Sequence, residues 1–452
     1  MKKLLSAVLS LSMIAALAAC STPAPAPAAT TAAPAATTAA AAPAASTAAA
    51  APAATEAAAT EAAAPAASQD SYKLGVIYPL SGGNALFGND MYEATKIAID
   101  DINAAGGVNG VKIEAVYGDG ESAQAASTEA TRLIDNEGVN VIIGSMSTGN
   151  ANAIRSVTER SNTILFEHSA VGDSVLDGHS GLTFRACDQG SYRGRNAVDF
   201  LIDELGPTLG KEASELKIAV INEDSSYGSA IGQGALDEAA ARGVTVAYHE
   251  DYDSATTDVT STVVAIKEAQ VDAIIAVSYV SDAILYCDTL TQYDAWPDVF
   301  IGCGSGWNSN DVRDTVGKDV MEGIFAVDMP SNIQPEQLTP DNAALLESFH
   351  ERLTKATGRD PSLSADMAYF GTYVFLHDIL PNAKSFSTED IVDAIMAADV
   401  KDTTVVYGVK FDESGQNTKA ESVVMQWQDG NVTVVWPEAF KNGDWKGIPL
   451  DK

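Results

Sequence analysis

The chain has 452 residues, 61 of them Asp or Glu against 27 Lys or Arg, for a net charge of −34 with histidine neutral. A balance that negative excludes nucleic acid and anionic membrane surfaces as partners, because both are held by Lys/Arg patches. Hydrophobic residues make up 46%, ample for the cores of two or three domains, while four cysteines with no Cys-x-x-Cys pair exclude a disulfide scaffold and structural zinc.

The N-terminus reads as a targeting device. Lys2 and Lys3 precede an apolar run from Leu4 to Leu17 that is too short to span a bilayer comfortably. It ends in Leu17-Ala18-Ala19-Cys20, which resembles the bacterial lipobox, so residues 1–19 are expected to be a signal peptide and Cys20 to carry the lipid. From there to residue 70 the chain is almost all Ala, Pro and Thr, with repeated prolines and no large apolar side chains to pack. Residues 20–70 are therefore expected to form a disordered tether, spanning on the order of 40 Å as a coil.

From Tyr72 the pattern changes. Lys73-Leu-Gly-Val-Ile-Tyr78 reads as a buried strand, and a helix follows with Met91, Ala94, Ile97, Ala98 and Ile102 on one face. Strands are predicted at 111–117, 140–144 and 163–166, with helices at 122–136 and 148–160. A second series has strands near 216–222, 244–250, 272–278 and 298–302, separated by helices 190–205, 228–242, 258–269 and 282–293. Short apolar strands alternating with helices imply an α/β fold of two Rossmann-like lobes with parallel sheets. The last third offers a strand at 322–329, helices near 340–356, 364–380 and 388–398, and short strands at 404–411, 421–427 and 431–436. These are too few strands for a third sheet and complete the two lobes. Residues 71–187 with 329–403 then form lobe one, and 188–328 with 404–452 form lobe two. The hinge crosses three times, near 186–189, 326–330 and 402–408.

Three stretches carry a resemblance. Val76-Ile-Tyr-Pro-Leu-Ser-Gly-Gly-Asn-Ala-Leu-Phe-Gly88, Ala98-Ile-Asp-Asp-Ile-Asn-Ala-Ala-Gly-Gly-Val-Asn-Gly110 and Asp224-Ser-Ser-Tyr-Gly228 resemble the leucine/isoleucine/valine-binding proteins of ABC importers, which are type I periplasmic binding proteins. The resemblance covers about 72–440. It implies a two-lobed fold with three crossings and a ligand cleft between the lobes, with an ABC permease as partner; a monomer that touches the membrane only through its lipid is expected.

Ligands of open parallel sheets sit beyond the carboxyl ends of the strands. After the strand at 140–144, Ser147 or Thr148 stands where an N-cap hydroxyl belongs, next to free amide groups suited to a carboxylate. The resemblance places a carboxylate-holding hydroxyl there. It also implies that Ser169 and the backbone at Ala170 hold the same headgroup, that Phe87 lies over the ligand side chain, and that Tyr227 and Tyr279 close from the second lobe. Amino-acid-binding relatives carry an acidic residue after the strand at 298–302 to pair with the ligand's ammonium. Here that loop is Gly302-Cys-Gly-Ser-Gly-Trp307, with no carboxylate. Either Asp188, Asp224, Asp282 or Glu167 replaces it, or the ligand is an amide, urea or an aromatic acid, for which Trp307 and the glycines leave room. His168 is a titratable group beside this site, and Cys287 and Cys303 are candidates to pair.

No Gly-x-Ser-x-Gly elbow, phosphate loop, His-x-x-x-His pair or complete dinucleotide fingerprint occurs, so no enzymatic activity, cofactor or metal is expected. Asp251, Asp253 and Asp258 read as a solvated acidic turn. The expected function is capture of an amino acid of the branched-chain type, or a related small solute, in the interlobe cleft and its delivery to an ABC permease, with a ligand-sensing receptor of the same fold as the alternative.

Overall fold

The computed structural model describes residues 71–178, 180–450 and 452. The expected signal peptide at 1–19, Cys20, the expected tether to residue 70 and His179 lie outside the described residues.

Among the described residues, twelve strands make two sheets. The first contains β1 (Ser71–Tyr78), β2 (Lys112–Asp119), β3 (Val141–Gly144), β4 (Ile164–Glu167) and β5 (Thr183–Arg185), in the order β2-β1-β3-β4-β5, all parallel. The second contains β6 (Lys217–Glu223), β7 (Thr245–Tyr252), β8 (Ala273–Val277), β9 (Val299–Cys303), β10 (Phe325–Asp328), β11 (Val423–Gln428) and β12 (Asn431–Trp436), in the order β12-β11-β10-β9-β8-β6-β7. Its strands are parallel except β11 and β12, which pair antiparallel at one edge. β3, β4, β8 and β9 are buried throughout, as expected for strands covered on both faces. Strand order reverses between β1 and β3 and between β6 and β8, so the loops after these strands frame a crevice at each sheet.

The first helix, Ala85–Ala104, buries Met91, Ala94, Ile97, Ala98 and Ile102. The later helices Pro340–Thr357 and Leu363–Val374 pack against it, and Asp101 receives both the Arg352 guanidinium (2.6 Å) and the Tyr369 hydroxyl (2.8 Å). Between β5 and β6, the helix Gly190–Phe200 lies against the helix Ser226–Arg242 at backbone distance. A Cβ on Gly194 would stand 2.0 Å from the Ile231 carbonyl oxygen. That close approach fixes Arg193 and Tyr227 beside each other.

Among the described residues, three segments connect the lobes: one after β5, one after β10, and one before β11. The last falls later than the sequence suggests. Residues 404–411 form no strand, and Phe411 packs edge-on against Phe166 and Phe184 of the first sheet. The Arg185 amide donates to the Gly415 carbonyl (2.8 Å), and Asn417 bonds the Ala186 carbonyl (2.9 Å). Only at Ser422, whose hydroxyl accepts from Asn196, has the chain reached the other side. One apolar cluster runs from Leu74, Ile143 and Phe166 of the first sheet to Val220, Ile275 and Val327 of the second. Among the described residues no helix is long and apolar enough to cross a membrane.

Candidate functional site

Loops at the carboxyl ends of both sheets close on a small cavity of about 40 Å³. Met146 (after β3) and Ser169 (after β4) come from the first sheet. Tyr227, Tyr279 and Ser305 follow β6, β8 and β9 of the second, and Asp328 ends β10. Arg193 reaches in from the helix Gly190–Phe200. The cavity shares Ser305, Leu363 and Ser364 with a wider cleft of about 600 Å³. Phe87 stands in that wider cleft, whose wall is mostly polar and includes Asp90, Asn308, Asp311, Asn332, His350 and Arg359.

On the first lobe, the polar groups expected around a ligand carboxylate have partners within the protein, the Ser147 and Thr148 hydroxyls as acceptors. Ser147 caps the helix Thr148–Thr158, its hydroxyl accepting from the Asn150 amide (3.3 Å). Thr148 is buried and its Oγ1 accepts from the Gly172 amide (3.0 Å). Ala170 packs with Ala151 and Val175, away from the cavity. Ser169 alone of these four borders it. The backbone donors of this loop hold a carboxylate of the protein itself. Glu167 Oε1 accepts from the amides of His168, Ser169 and Ala170 (3.0, 2.8 and 2.9 Å), while Oε2 takes the amide and hydroxyl of Ser145. Burial pushes the Glu167 carboxyl up, and these donors pull it back. His168 is fully buried, with Nε2 bonded to the Tyr78 hydroxyl (2.8 Å). Burial pushes it down to about 3, so it stays neutral.

On the second lobe, Tyr227 and Tyr279 meet at the cavity with ring centroids 5.0 Å apart. The glycines of the 302–306 loop serve the protein's own packing. A Cβ on Gly302 would meet the Trp307 ring at 2.0 Å, and one on Gly304, where φ is +90°, would meet the Tyr227 hydroxyl at 1.6 Å. Trp307 is fully buried against Phe300 and accepts from the Trp427 indole through its carbonyl (2.7 Å), so it belongs to the core and leaves the ligand no extra room. Cys287 and Cys303 are separate thiols on opposite faces of the second sheet. Cys303 packs with Ile301, whereas Cys287 packs with Phe300.

Of the four acids suggested as replacements, none borders the cavity. Glu167 is held as described, and Asp224 accepts from the Ser254 amide at the surface (3.2 Å). Asp282 is hydrogen-bonded to the Tyr252 hydroxyl. Asp188 gives both oxygens to Arg193, at 2.7 and 2.8 Å. The acid that does line the cavity is Asp328, whose Oδ1 meets Arg193 Nη1 at 2.6 Å. Sequence reading missed both Asp328 and Arg193. The signal was there: Arg193 falls in register with Ala197 and Phe200 on the apolar face of its helix, and Asp328 closes a strand that is otherwise apolar.

Comparison with known proteins fits this architecture. The family model described as periplasmic binding protein matches residues 71–431. A Leu/Ile/Val-binding protein homolog 7 of Brucella abortus is 35% identical over 370 residues, covering 81% of this chain and 92% of the relative. Among solved structures, the branched-chain amino acid transporter substrate-binding protein LivJ of Streptococcus pneumoniae, in complex with isoleucine, superposes with a TM-score of 0.67 at 20% identity, covering 81% of this chain and all of that one. A solute-binding protein of Rhodopseudomonas palustris, in complex with 3,4-dihydroxybenzoic acid, gives 0.67 at 18% identity, covering 80% of this chain and 95% of that one.

Proposed function

The chain belongs to the periplasmic binding protein family, of the leucine/isoleucine/valine-binding type, and on that basis we propose that it captures a small extracytoplasmic solute between its lobes and delivers it to an ABC permease. The family gives a solute-binding role outside the cytoplasm. The observation that supports this site is convergence: Ser169 from one lobe and Tyr227 and Tyr279 from the other border one cavity at the carboxyl ends of both sheets. Tyrosine suits the closing side, offering a flat apolar face and a hydroxyl that needs a partner when buried.

Lobe one in this reading comprises the first sheet with the helices of 340–397, and lobe two comprises the second sheet. A ligand touching both lobes favours the closed state, and the permease recognises that state. Ser169 fixes the ligand's polar end, the two tyrosines cover it, and Phe87 contacts whatever extends into the wider cleft. Cys20 carries the lipid that keeps the receptor at the membrane.

The test is thermal unfolding of the purified protein against amino acids, amides, urea, amines and aromatic acids. A ligand at 100 times its dissociation constant stabilises by about 2.7 kcal/mol, and Tyr279→Ala should weaken that ligand by about tenfold. Unchanged affinity in the variant would remove Tyr279 from the site.

A further inference from the structure

We propose that Asp328 takes the ligand's cationic group, and that the ligand is an ammonium-bearing solute with a polar body. This deepens the solute-binding reading and rests on it. Arg193 is buried between two buried carboxylates: Nε and Nη2 bond both oxygens of Asp188 (2.7 and 2.8 Å), and Nη1 bonds Asp328 Oδ1 (2.6 Å). One guanidinium between two carboxylates leaves the cluster one negative charge in excess. The oxygens divide unequally. Both Asp188 oxygens are used by Arg193, and Asp328 Oδ1 also accepts the Met329 amide (2.7 Å). Asp328 Oδ2 is buried and has no hydrogen-bond partner among the described residues.

A buried carboxylate oxygen without a donor is costly, as is an uncompensated buried charge. An ammonium in this cavity answers both. It donates to Oδ2 and neutralises the cluster, with the Tyr227 and Tyr279 rings beside it as further cation-accepting faces. An anion finds the reverse. Arg193 is committed to two carboxylates, and the amides of Ser145, Ser169 and Ala170 already hold Glu167. An uncharged amide satisfies Oδ2 and leaves the charge. The cavity, at about 40 Å³, accepts the charged end only, so the body of the ligand extends into the polar wall of the wider cleft.

Isothermal titration of the purified full chain is the deciding experiment. The probes are the common amino acids, with the decarboxylated amine and the des-amino acid of each one that binds, and then acetamide, urea and 3,4-dihydroxybenzoic acid. The expected result is binding by a polar amino acid and its amine, with the des-amino acid weaker by about a hundredfold. Asp328→Asn keeps the neutral Asp188–Arg193 pair and should lose about the same factor while unfolding at nearly the wild-type temperature. A des-amino acid that binds as tightly as its amino acid overturns the role of Asp328, as does binding by amides or aromatic acids alone. If Asp328→Asn fails to fold, the comparison of amine with des-amino acid on the wild type still separates the two outcomes. A preference for isoleucine over every polar amino acid overturns the polar body. Silence across every probe overturns the amino-acid ligand class on which the role of Asp328 rests, as distinct from a des-amino acid that binds equally well, which overturns Asp328 alone.

Discussion

Burial pushes the Asp328 carboxyl up to about 6, against the pull of Arg193. It is faced by Arg193 and Asp188, by Tyr227 from the helix Ser226–Arg242, by Cys303 at the end of β9, and by Tyr407 from the segment that returns to the first sheet. Burial keeps Tyr227, Cys303 and Tyr407 in their neutral forms, and the two carboxylates keep Arg193 charged although burial opposes it. Two consequences follow for pH. Without ligand, the folded protein holds the Asp328 proton to higher pH than an unfolded chain, whose carboxyl titrates near about 3.9. Between about pH 4 and 6 the native state therefore binds more protons, and this residue's contribution to stability falls as pH rises. Binding of an ammonium runs the other way, since it needs the ionised carboxylate. Affinity for such a ligand should drop toward tenfold per unit as pH falls below about 6, measured by titration at pH 5 and 7. Asp328→Asn should flatten that profile, and a wild-type affinity that is equal at both values would separate Asp328 from the ligand's charge.

The helix Thr148–Thr158 shows how one element can carry a cap where a binding group was expected. A hydroxyl before an amphipathic helix at a carboxyl-end loop can accept the cap bond and still donate to a ligand, so what counts against Ser147 is that it does not border the cavity. Here the Ser147 hydroxyl meets the Asn150 amide. Ser147→Ala should therefore lower stability by about 1 kcal/mol and leave ligand affinity within about twofold. A tenfold loss of affinity with unchanged unfolding would restore Ser147 to the site. Most elements of this chain were readable because their apolar spacing is strong: Met91 to Ile102 for the first helix, and Val299 to Cys303 for a buried strand. Residues 404–411 misled because Thr403-Thr-Val-Val-Tyr-Gly-Val-Lys-Phe411 has the composition of a strand. Its pairings among the described residues are isolated ones, Val400 with Val409 and Phe411 with Asn417, and its aromatic rings are spent on the first lobe. Strand composition reports burial, and burial here comes without a ladder. The role of Asp328 was hidden for a different reason. It depends on β10 pairing beside β9 and on a helix from 135 residues earlier pointing Arg193 at it, which no local pattern encodes.

At the scale of the molecule, the two-lobed form follows from two series of alternating strands and helices, and the place of the cleft follows from where each sheet reverses its order. How the protein stays at a membrane is a separate question that its charge makes sharp. Nearly all of the −34 lies in residues 71–452, and no described helix can cross a bilayer. Such a body is repelled by an anionic lipid surface, which makes the lipid proposed at Cys20 the anchor to test. A lipid anchor gains about 0.8 kcal/mol for each buried methylene, far more than any contact an acidic surface can make. Cys20→Ser should therefore move the protein from the membrane fraction to the soluble fraction at low and high salt alike, with its ligand affinity unchanged. Retention of the variant that survives high salt would mean that another segment holds the membrane, and retention lost only in salt would mean a basic partner protein.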